Sequence, residues 1–203
     1  MYLLILGVVV IFLVLCINNI YYSDIVYAKS DIDNKLYMMR RGQTKSDDFL
    51  KESANSLAEI NRRIEKLINS LEYKYSDDTS KNYFIKKLRE NYNSSIISEA
   101  EIDPRYTTYT IDKSEMHICL RTRDEREKIY DIDLLMYVVL HELAHLCNYT
   151  RFGAPIQGHG LEFKKIFKFL VQEAIGLDIY EYTDYSKTPS EYCNIQLNTN
   201  ILS

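Results

Sequence analysis

Three residues within five positions constrain this chain more than any other feature: His141 and His145, four apart, with Glu142 beside the first. They lie within an apolar run from Ile132 to Cys147. In a helix, residues four apart stack one turn apart on one face, so two imidazoles can grip one metal ion. This is the HExxH spacing. Zinc suits it, because neutral imidazole is a good ligand for that ion and two helical histidines leave room for a third protein ligand and a water. Glu142 would take a proton from that water, giving a nucleophile for a peptide carbonyl. The chain has four histidines, and three of them fall between positions 141 and 159. Asp131 or Asp133 can cap the helix, and Leu134, Leu135, Val138, Val139, Leu140, Leu143 and Leu146 make it apolar almost all round, hence buried. The bland alternative is a core helix with two satisfied histidines. Glu142 between them argues against it, since a buried carboxylate without a partner is costly.

The third ligand comes from elsewhere. A metzincin would have Gly and then His where this chain has Asn148 and Arg151, which excludes that family. Downstream, Gln157-Gly158-His159-Gly160-Leu161-Glu162-Phe163 reads as a turn opening into a helix, and glycines on both sides of His159 let the backbone bring a short ligand close to a metal. Glu162 and Glu173 are the rival ligands. With HExxH followed by Gly158-His159-Gly160 and Phe163, the chain resembles the SprT-like and WLM-type minimal zinc metalloproteases, specifically over 141 to 163 and in outline over 100 to 197. The resemblance implies an α+β, minimal zincin-type domain built from a hairpin, the HExxH helix and a ligand helix. It also implies Zn2+ on His141, His145 and His159, Glu142 as general base, and a protein or peptide substrate. In layout the chain is similar to membrane-anchored WLM-type relatives of some large DNA viruses. SprT-like proteins commonly add a cysteine-bearing zinc ribbon and act on proteins crosslinked to DNA; no Cys-x-x-Cys occurs here, so no nucleic-acid partner is expected.

The chain's 203 residues, 46% of them apolar, suffice for one domain plus an extension, and a net charge of −4 suggests no nucleic-acid surface. Met1 to Ser23 carries no charge, and Leu3 to Ile17 is apolar apart from Gly7. The expectation is an uncleaved transmembrane helix with Asn18, Asn19, Tyr21 and Tyr22 at its interfacial end. Lys29, Lys35, Arg40 and Arg41 lean toward a single-pass membrane protein with its body on the cytosolic side, and the resemblance to the viral WLM-type relatives implies a viral or virion membrane. The expected division is an anchor at 1–23, a hairpin and amphipathic helical segment at 24–99, and a zinc metallopeptidase domain at 100–203.

Alternating runs from Ile25 to Lys29 and Leu36 to Met39 predict a hairpin, and those from Tyr106 to Ile111 and Met116 to Arg121 a second one. Helical spacing runs from Ser46 or Asp47 to about Tyr75, from Ser80 to about Tyr92, and from Leu161 to Leu177. The second of these is basic through Lys81, Lys86, Lys87 and Arg89, which reads as a solvated face. His117 reads as structural, because a fourth ligand would close a site that catalysis needs open. Cys16, Cys119, Cys147 and Cys193 show no paired spacing and are expected to be reduced. One of Tyr180, Tyr182, Tyr185 or Tyr192 can hydrogen-bond an oxyanion. The other function these features allow is a catalytically silent, zinc-binding structural membrane protein.

Overall fold

A computed structural model describes residues 7, 9, 25–42, 46–102 and 107–203. In chain order the elements are β1 (Ile25–Lys29), β2 (Leu36–Arg40), α1 (Asp47–Lys74), α2 (Thr79–Asn91), β3 (Ile97–Glu99), β4 (Tyr109–Ile111), β5 (Glu115–Ile118), α3 (Ile132–Cys147), α4 (Leu161–Gly176), β6 (Ser190–Tyr192) and β7 (Ile195–Leu197). The class is α+β.

The transmembrane helix is a different matter. Among the described residues no helix is long and apolar enough to cross a membrane. The most apolar helix, α3, has 16 residues, short of the about 20 a bilayer needs, and the 28-residue α1 is amphipathic. The stretch 1–23 lies outside the described residues apart from Gly7 and Val9. The expected anchor and the single-pass membrane localisation built on it are therefore not supported.

Helix starts follow local chemistry. Ser46 Oγ accepts from Phe49 N, Asp78 from Ser80 N and Lys81 N, and Asp131 from Asp133 N and Leu134 N, each filling donors that a first turn leaves open. One apolar stripe of α1, including Leu57, Ile60, Ile64, Leu67 and Leu71, is buried. It shares a single core with Tyr37 and Met39 of β2, with α2, with the sheet, and with α3 and α4. Three of the four basic residues of α2 are matched by neighbouring acids: Lys81 by Asp78, Lys87 by Glu90, and Arg89 by Glu65 and Glu72.

The central sheet has the order β3-β5-β4, with β3 parallel and β4 antiparallel to β5. Strands β6 and β7 form a separate hairpin, joined to the end of β5 by a Cys119–Cys193 disulfide across 74 residues of sequence. This overturns the expectation of reduced thiols for that pair; Cys147 is free and buried, as expected.

Four buried charges tie β2 to the sheet: Arg40, Glu99, Arg121 and Glu127. Arg121 donates to both Glu99 oxygens at 2.6 and 2.7 Å, and Arg40 Nε donates to Glu99 Oε1 at 3.2 Å. Glu127 lies 3.7 Å from Arg40 and 3.9 Å from Arg121. A Cβ at Gly42 would stand 2.5 Å from the Glu127 carboxylate at a φ of +67°, so only glycine fits where the chain passes over this network. Glu99→Gln leaves two buried guanidinium groups facing one carboxylate and is expected to cost about 3–5 kcal/mol in urea unfolding. An unchanged unfolding midpoint would contradict that role.

Candidate metal centre

Helix α3 carries two of the three converging histidines. His141 and His145 sit one turn apart on it, and the turn before α4 brings in His159, with Gly158 at a φ of +75° supplying the left-handed step. The three Nε2 atoms form a triangle: His141 to His145 is 3.2 Å, His145 to His159 is 3.0 Å, and His159 to His141 is 3.0 Å. A neutral imidazole nitrogen either donates or accepts, never both, so hydrogen bonds cannot satisfy all three contacts at once. A point equidistant from three such atoms lies about 1.8 Å from each, close to the 2.0–2.1 Å of a zinc–imidazole bond. The cluster can hold a metal ion.

Phe163, on the first turn of α4, backs all three rings, with centroid separations of 4.8, 4.4 and 4.7 Å to His141, His145 and His159. Burial, then the neighbouring imidazoles, pulls His141 down to about 3 and His145 to about 4. Both are therefore neutral, as a ligand must be, across the physiological range.

Glu142, next to His141 on α3, lines the same cleft as the histidines and is buried. Its Oε2 accepts from Thr110 Oγ1 of β4 at 2.8 Å, and Oε1 makes no hydrogen bond among the described residues. Burial raises its carboxyl to about 7, against the lowering effect of Thr110. A cleft of about 870 Å³ lies over these groups, with the β4 segment along one wall and Tyr192, Ile195 and Leu197 among its other lining residues. Lys113, in the β4–β5 turn, donates to the carbonyls of His145 and Asn148, closing the C-terminal end of α3 with a positive charge.

The remaining sequence candidates are placed as follows. Glu162 accepts from Tyr83, and Glu173 accepts from Tyr75 and Lys74, so both rival carboxylates are engaged away from the three histidines. His117 bonds Ser98 and Glu115 and stacks on Tyr109, which is a structural role. Of the four tail tyrosines, Tyr192 lines the cleft; burial keeps its phenol protonated, and it bonds Thr108. Tyr180 and Tyr185 pack on Tyr137, and Tyr182 donates to Asn200. Thr110, Lys113 and Tyr137 were not legible as site residues: a threonine in a strand or a lysine in a turn carries no spacing signal.

An α+β fold with a three-histidine cluster and an adjacent buried carboxylate defines a candidate metalloprotein class. The chain belongs to the family of Uncharacterized protein R325 of Acanthamoeba polyphaga mimivirus, with which it is 36% identical over 181 residues, 89% of this chain and 86% of that relative. It is also similar to Uncharacterized protein 136R of Invertebrate iridescent virus 6, 31% identical over 93 residues, 45% of this chain and 48% of the relative. Uncharacterized protein 042R of Invertebrate iridescent virus 3 is 38% identical over 89 residues, 43% of this chain and 50% of the relative. No protein-family profile matches the chain, and no solved structure matches it.

In the metal-free protein the Glu142 carboxyl is raised from 4.5 to about 7, so its contribution to stability is fully present below pH 4.5 and is lost as pH rises through 7. Glu142→Gln does not titrate and is expected to gain about 3 kcal/mol on the natural chain over that interval, read by urea unfolding in chelator. A difference independent of pH would contradict the burial of this carboxylate.

Proposed function

We propose that the chain is a zinc-dependent metallopeptidase, similar in its site to the SprT-like and WLM-type enzymes. The observation that carries the reading is the three-way contact of Nε2 atoms beside a buried carboxylate at the floor of a cleft. His141, His145 and His159 would hold the ion. When bound, zinc supplies Lewis acidity that makes a water molecule acidic near neutral pH. Glu142 takes the proton on Oε1 while Thr110 keeps Oε2 in place, and returns it to the leaving amine. The edge of β4 that is not paired to β5 offers main-chain groups to an extended peptide. Tyr192, a neutral phenol in the cleft, is the donor we assign to the developing oxyanion.

The test is zinc content and peptide hydrolysis for the natural chain beside Glu142→Gln and His159→Ala. We expect one zinc per chain in the natural and Gln proteins, a loss of about 10²–10⁴ in kcat for Gln, and weaker zinc retention for His159→Ala. Zinc bound without hydrolysis in any form would favour a catalytically silent zinc-binding protein; absence of zinc would remove both readings.

A further inference from the structure

The cleft is not uniform along α3. Tyr137 and Val138 precede His141 by one helical turn, and both line the cleft together with Ile195 and Leu197. At the opposite end Lys113 reaches the carbonyls of His145 and Asn148, and Asp112 and Gln157 line the cleft as well. The histidines and Glu142 thus share the cleft with apolar side chains of α3 and β7 and with polar ones from the β4–β5 turn and the segment before α4. Ile195 and Ile111 remain 43% and 44% exposed although both line the cleft. Large apolar side chains left open to water inside a cleft mark a surface that a ligand covers.

Ile195 and Leu197 are two apart on β7 and so point to one face. Among the described residues strands β6 and β7 pair only with each other, and a two-stranded hairpin this short does not hold its position unaided. It is seated at its turn end: Cys193 is bonded to Cys119, Cys193 N donates to Tyr130 Oη at 2.8 Å, and the Tyr192 ring packs on Tyr130 at 4.9 Å.

We propose that this tethered hairpin is the substrate-selecting wall of the cleft, with Ile195 and Leu197 seating a large apolar side chain of an extended peptide next to the scissile bond. The proposal rests on the peptidase reading for the identity of its ligand, and its test is a binding measurement that does not depend on turnover. Fluorescein-labelled Gly/Ala octapeptides with a central Leu or a central Asp are titrated by anisotropy into full-length Glu142→Gln protein, with and without zinc. The Leu peptide is expected to bind about tenfold or more tightly than the Asp peptide. Adding Ile195→Asp should remove that preference, Ile195→Leu should keep it, and reducing the disulfide with a phosphine should diminish it while bound zinc is retained. No measurable binding, equal affinities, or a preference unchanged by Ile195→Asp would overturn the assignment; a preference unchanged by reduction would overturn the role of the tether. Selective binding in a protein whose natural form hydrolyses no peptide would leave the wall standing and remove the peptidase reading.

Discussion

Three imidazole nitrogens held 3.0–3.2 Å apart are an arrangement that hydrogen bonding alone does not complete. The packing around them keeps them there. Helix α3 is buried on most of its surface, Phe163 stands behind all three rings, and Lys113 fastens the end of the helix to the β4–β5 turn. A cation held by His141, His145 and His159 would remove the conflict, giving each nitrogen a ligand bond where three hydrogen bonds cannot all be made at once.

The same burial shapes the chemistry around the point. Desolvation keeps His141 and His145 neutral, the form in which an imidazole can bind a metal, and raises the Glu142 carboxyl to about 7, the range that the proposed base would need. Thr110 gives that carboxylate its one hydrogen bond among the described residues, and Thr110 itself sits on β4, which β5 fixes to the core. The buried Arg40–Glu99–Arg121 contacts serve the scaffold further back, joining the first hairpin to β3 and to the segment after β5.

Much of this was legible from periodicity. The helix over Ile132–Cys147 has the bounds of the apolar run, Asp131 is one of its two foreseen caps, and the helices and hairpins with long repeating patterns fall within a few residues of their expected ends. His159 joins the two histidines of α3, and Tyr83, Tyr75 and Lys74 account for the rival carboxylates, a contact between distant segments that no spacing encodes. Strand β3 escaped because Ile97, Ser98 and Glu99 are all buried and show no alternation. The β6–β7 hairpin escaped because its turn uses Cys193 and Asn194 at positive φ without a glycine, and its disulfide because the partners are 74 residues apart. The membrane anchor was inferred from the uncharged apolar run and its Asn and Tyr end, and no described helix has the length and apolarity to bear it out.

The central claim is that one metal ion occupies the meeting point of His141, His145 and His159. Anomalous X-ray diffraction at the zinc absorption edge, from crystals of the zinc-loaded protein, tests it most directly. The account predicts a single strong peak within bonding distance of all three Nε2 atoms, with Glu142 beside it and not bonded to it. Absence of a peak there, with the rings turned apart to separate hydrogen-bond partners, would contradict it.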